Sequence, residues 1–163
     1  MNPQVKKFFS YYKPYPRLFI ADMVCAFIIS AIALIMPICV RYLTKTVLGK
    51  EFSNALDQIY LVGAFMFVLI LVHTACNMFV DYQGHVMGAK MERDMRNELF
   101  DHFQKLSFRF YDENKTGQLM SRITHDLFWL SELYHHGPED IVISILKFFG
   151  TFFILMTINV KLT

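Results

Sequence analysis

His73, Asn77, Asp81 and His85 recur every four residues. On a helix that spacing winds slowly along one side, so two imidazoles, an amide and a carboxylate would share a polar stripe. Such a set can ligate a metal, line a translocation path or form a hydrogen-bonded seam between helices. Asp81 and His85, at i,i+4, supply two metal ligands, but a tetrahedral site needs a third from elsewhere in the chain. His135-His136 is an equally incomplete pair, and no metal site is assigned. Cys25, Cys39 and Cys76 show no CxxC spacing and read as small apolar residues. No GxxxxGK[ST] phosphate cradle occurs. Gly49-Lys50 is followed by Glu51, with Thr44 where the first glycine belongs, so this chain does not hydrolyse ATP by P-loop chemistry.

A second polar constellation, "RFYDENKTGQLMSR" at 109–122, stands between apolar runs. Asp112, Asn114 and Gly117 are turn formers, and Glu113, Lys115, Thr116 and Gln118 keep the stretch hydrated up to Leu119.

The elements that must carry these groups are read from the gaps between charges. Met23 to Val40, Gln58 to Val80 and Ile141 to Val160 are uncharged but for Lys147. Each reaches the roughly 17–25 residues needed to cross a bilayer core of about 30 Å. With 55% hydrophobic and 16% aromatic residues, the chain is an all-α membrane protein with three spans. A secretory leader is not expected, because the first apolar run exceeds the usual h-region of about 7–15 residues. Lys6, Lys7, Lys13 and Arg17 before the first span, and Lys90, Arg93 and Arg96 after the second, place the N-terminus and residues 81–140 in the cytoplasm.

Met87, Met91, Met95, Leu99, Phe103 and Leu106 continue one helical face beyond the second span. The predicted helix over 58–107 would be about 75 Å long, about 45 Å more than the core requires. Leu119, Ile123, Leu127 and Leu130 restart the period on a returning helix. The polar stretch is therefore the tip of two helices extended far into the cytoplasm. The expected segments are an interfacial elbow helix at 1–17, span 1 at 18–44, span 2 with its extension at 58–107, a coupling turn or helix at 108–119, and the returning helix with span 3 at 120–160. In the elbow, Val5, Phe8, Phe9 and Tyr12 are expected on one membrane-facing side.

Gly84-xxx-Gly88 permits close helix approach. Gly137-Pro138 is expected to kink or interrupt the returning helix, and Pro37 to bend the first span. Arg122 and Asp126 have i,i+4 spacing for a surface pair. Lys147 either snorkels to the interface or is buried against Asp22.

The order of "YYKPY", two spans, "LSFRFYDENKTGQLMSRITHD", a third span and "NVKLT" closely resembles the first half of the membrane domain of ABC exporters. The resemblance covers essentially the whole chain and is most specific at 106–126. It implies that Asp112, Glu113, Asn114, Lys115, Thr116, Gly117, Gln118 and Leu119 form or flank a coupling helix docked on nucleotide-binding domains. It further implies six spans per membrane domain, a homo- or heterodimer working by alternating access in a bacterial cell membrane, and ATP with Mg in domains beyond this chain. His73, Asn77, Asp81 and Lys147 are then candidates for the translocation path or an interhelical seam. Basic residues form no aromatic-interleaved stripe, which disfavours nucleic acid. No nucleophile has a base nearby, which disfavours a membrane enzyme. The reading from another class is a membrane-anchored helical scaffold or sensor that docks a soluble partner without transport.

Overall fold

The computed structural model describes residues 3–47, 52–161 and 163. Gly49, Lys50 and Glu51 lie outside the described residues. All regular structure among those described is helical: α1 (Pro3–Ser10), α2 (Pro16–Tyr42), α3 (Phe52–Phe103), α4 (Phe108–Glu113), α5 (Thr116–Ser121) and α6 (Leu127–Ile158). Leu43–Val47 and Arg122–Asp126 are wider, π-type turns. Three helical stretches, Pro16–Val47, Ala55–Phe103 and Thr116–Ile158, are long and apolar enough to cross a membrane.

The described residues fall into two units. One holds residues up to Ala21 together with Tyr82–Pro138. Its core is the methionine face of α3, Met87, Met91 and Met95, closed over by Leu127 and Tyr134 of α6 and by Tyr12. The elbow α1 is fastened to both long helices. Lys7 Nζ donates to Glu98 Oε1 at 2.8 Å, the Tyr11 hydroxyl donates to the same carboxylate, and Tyr15 Oη donates to Asp94 Oδ2 at 2.7 Å. Phe8 stacks on Tyr134 with ring centroids 4.4 Å apart.

This docking corrects the expected single membrane-facing side of the elbow. Phe8 and Tyr12 turn inward onto the protein, whereas Val5 and Phe9 remain exposed. Val5 is an i,i+3 neighbour of Phe8 and an i,i+4 neighbour of Phe9, so the protein covers one edge of this face and leaves the other open.

Gly137-Pro138 does not interrupt the returning helix, since α6 runs through Pro138 to Ile158. A proline removes the N–H that would bond the carbonyl four residues earlier, here that of Tyr134. The Tyr12 hydroxyl donates to that carbonyl at 2.6 Å, so the vacancy left by the proline is filled from the elbow. α2 likewise contains Pro37 within its helical span.

The glycine pair acts as a close-approach surface. A Cβ on Gly84 would overlap the His135 ring, and one on Gly88 would lie 3.6 Å from the His135 Cβ. Arg122 and Asp126 bound the π-type turn and do not form the expected pair.

The second unit takes the described residues of 22–81 and 139–163. Ala26, Ile29, Ser30 and Ile32 of α2 are buried, and a Cβ on Gly150 of α6 would overlap Leu34. Aromatic and aliphatic side chains such as Phe65, Phe67, Phe148 and Phe153 face outward, as lipid or further helices require. Lys147 is exposed and Asp22 is buried, so the two do not form the buried pair considered from the sequence.

Candidate functional site

The tip is built by backbone geometry at two adjacent residues. α3 ends at Phe103, and its last carbonyl accepts from the Leu106 N–H at 3.0 Å and the Tyr111 hydroxyl at 2.5 Å. α4 then opens at Ser107, which is extended and offers no side-chain cap. Arg109 Nε to Glu113 Oε1, at 2.7 Å, spans its exposed face. It closes on Asn114, whose backbone N–H and side-chain amide both donate to the Phe110 carbonyl, at 3.1 and 2.8 Å. Asn114 (φ −118°, ψ 137°) and Lys115 (φ −71°, ψ 115°) are both extended. Two extended residues in succession break the helix, and this is the corner.

α5 begins immediately, with the Gln118 and Leu119 N–H groups donating to the Lys115 carbonyl at 2.9 and 3.3 Å. The turn thus lies at Asn114-Lys115, and two of the expected turn formers lie elsewhere. Asp112 sits in the last turn of α4. Gly117 sits in the first turn of α5 with no positive φ, and a Cβ there would meet nothing within 4 Å. Small size, rather than a left-handed backbone, is what distinguishes this glycine.

The eight sequence-predicted residues of the tip form one contiguous corner. Asp112, Glu113, Asn114, Lys115, Thr116, Gly117 and Gln118 are exposed, and Leu119 alone is buried. A hollow of about 220 Å³ between the end of α3 and α5 is lined by Leu99, Phe103, Phe110, Gln118 and Arg122 among others.

Sequence reasoning passed over the two most conspicuous apolar groups of the tip. Phe108 is 91% exposed and Met120 56% exposed. In the short helix α4, Phe110 turns towards Phe103, with centroids 6.4 Å apart, and Phe108 turns out.

The polar stripe of α3 divides. Asn77 Nδ2 and His73 Nδ1 are 2.9 Å apart and share an intrahelical hydrogen bond, while Asp81 is exposed. Lys147 of α6 is exposed as well. His85 belongs to the unit of the elbow, where its ring packs on those of His135 and His136 at centroid distances of 4.9 and 5.7 Å.

Charges above the tip are set by the elbow. The hydrogen bond from Lys7, then that from Tyr11, holds the Glu98 carboxyl below the usual carboxylate range. The hydrogen bond from Tyr15 does the same for Asp94. Burial, followed by the bond to Glu98, pushes the Tyr11 phenol up.

Comparison with known proteins matches residues 19–163 to the family described as ABC transporter transmembrane region. The chain is 42% identical over 159 residues to YwjA of Bacillus subtilis, an uncharacterized ABC transporter ATP-binding protein, covering 97% of this chain and 27% of that protein. It is 27% identical over 162 residues to YgaD of the same organism, provisionally named a multidrug export ATP-binding/permease protein, covering 98% of this chain and 28% of that protein. YknU, a further uncharacterized ABC transporter ATP-binding protein of Bacillus subtilis, is 31% identical over 138 residues, which cover 84% of this chain and 23% of that protein. The chain thus spans about a quarter of the length of these relatives.

Proposed function

Because this chain belongs to the ABC transporter transmembrane region family, we propose that it is part of the substrate-translocating domain of an ATP-driven exporter, with the corner at 108–120 coupling nucleotide-domain motion to alternating access. The observation that carries the coupling role is the outward presentation of Phe108 and Met120 at the same corner as the open, side-chain-free Gly117. An exposed aromatic suits a partner that accepts the ring in a pocket, and a residue without a side chain lets a partner approach the helix closely. The partner is a nucleotide-binding domain, in the same full-length chain or another. That domain holds ATP and Mg; the residues here only receive its motion.

The N-terminus and residues 81–140 are proposed to face the cytoplasm. Single cysteines replacing Lys50 and Lys115, on a background without the three native cysteines, test this with an impermeant thiol reagent on intact cells. Labelling at 50 and protection at 115 are expected, and the reverse overturns the orientation. The cargo is proposed to be amphipathic, in keeping with the Met- and Phe-rich composition.

The function is tested by reconstituting the full-length protein in vesicles and following ATP-dependent uptake of an amphipathic dye. Phe108→Asp should abolish uptake while dye binding persists, because the substitution puts a charge where a ring is received. Uptake equal to wild type would remove the coupling role. An absence of ATP-dependent uptake in the wild type, with a soluble partner still captured at the tip, would favour the scaffold reading.

A further inference from the structure

We propose that His85, His135 and His136 form a binding site for a divalent transition-metal ion. Each offers one ring nitrogen, and the three lie within 4.8 Å of one another. Three points so spaced all fall within about 2.8 Å of a common centre, so closing to a Zn–N bond of about 2.0–2.1 Å requires each nitrogen to move inward by only about 0.7 Å. The incomplete pair His135-His136 gains its third ligand from His85, across the helix contact and not from the neighbouring sequence.

The surroundings suit ligation. His135 is 2% exposed and its ring occupies the space vacated by the missing side chain of Gly84, which fixes its position without a flexible loop. Glu132 Oε2 lies 3.6 Å from His136 Nε2. A carboxylate behind a ligating imidazole orients the ring and raises its basicity. His85 is exposed and leaves an entry path, with a fourth coordination position for water. Imidazoles favour zinc, cobalt, nickel or copper over magnesium and calcium, which take oxygen ligands. The ion would staple α3 to α6 just beyond the uncharged windows that end at Val80 and begin at Ile141.

The test is equilibrium dialysis of the full-length protein, carrying a histidine-free affinity tag, against Zn2+ with excess Mg2+. Wild type should bind about one more zinc per chain than His85→Ala. That exposed position can be changed without opening the core, and equal helicity and elution of the variant would verify it. Co2+ should give visible absorption in the wild type that is lost in His85→Ala. Glu132→Gln should weaken binding about 10- to 100-fold. Equal zinc stoichiometry in wild type and His85→Ala would overturn the proposal. None of these readouts depends on transport.

Discussion

Tyr12 and Tyr134 are joined by a 2.6 Å hydrogen bond from the hydroxyl of one to the main-chain carbonyl of the other, 122 residues away in sequence. That carbonyl is the one Pro138 leaves without its helical donor. The elbow therefore completes the hydrogen bonding of α6 at the place where the sequence alone reads as a break. Tyr12→Phe keeps the ring packing against Phe19 and Tyr134 and removes only the donor. The expected cost is about 1–3 kcal/mol, the penalty of an unsatisfied buried carbonyl. It should appear as a lower unfolding temperature of the full-length protein, with faster amide exchange around 134–138. An unchanged exchange pattern there would show that the hydroxyl does not support the helix at Pro138.

Gly84 and Gly88 of α3 make opposite predictions. Gly84→Ala would drive a methyl into the enclosed His135 ring, an overpacking that costs about 1–3 kcal/mol. Alanine gains about 1 kcal/mol in helix propensity over glycine, which is too little to offset it. At Gly88 the nearest atoms are at an ordinary 3.6 Å, so Gly88→Ala keeps the propensity gain and should stabilise. Thermal unfolding of the two variants beside wild type decides the matter, and equal shifts would contradict the close approach at Gly84.

Acid should loosen the elbow. Glu98 and Asp94 have carboxyls held low, by the hydrogen bonds from Lys7 and Tyr11 and from Tyr15 respectively. A carboxyl lowered in the folded state adds stability that is fully present above its unfolded value and disappears as pH falls through the lowered one. Amide protection of 3–10, measured in the full-length protein, should hold near pH 7 and fall towards about pH 3, below the ordinary carboxylate range. Glu98→Gln with Asp94→Asn should lower protection at neutral pH and flatten its dependence. Protection that is flat in the wild type would mean that ring packing alone fastens the elbow.

What was legible in the sequence was what periodicity and charge gaps control. The methionine face of α3 is buried at Met87, Met91 and Met95, because a repeat of four places each side chain over the last. The three apolar windows fall on helices long enough to span. Contacts between distant segments were not legible. Nothing local to Pro138 announces Tyr12, and nothing local to His135 announces the space at Gly84. The corner was legible in part: of the turn formers Asp112, Asn114 and Gly117, the chain turns at Asn114, followed by the extended Lys115, while Asp112 and Gly117 are turn formers by average behaviour that lie here within α4 and α5. Short helices such as α4 also give too few turns for a hydrophobic period to tell Phe108 from Phe110.

Gly117 offers the sharpest test of the tip. Its φ is not positive and its Cβ direction is open, so Gly117→Val creates neither backbone strain nor a clash within the chain. A valine is somewhat poorer than alanine in a helix but better than glycine, so the fold of α5 should not suffer. Any large effect must therefore come from a partner that approaches the bare backbone. In the full-length protein, Gly117→Val should leave substrate binding at the wild-type level and reduce both substrate-stimulated ATP hydrolysis and transport, because the link between the two sites is what has been obstructed. Gly117→Ala, with one methyl, should fall between. The measurement is stimulated ATPase activity and vesicle transport, normalised to correctly inserted protein, with substrate affinity determined in parallel. Wild-type stimulation and transport in Gly117→Val would mean that no partner packs against this helix and that the tip is a solvated turn.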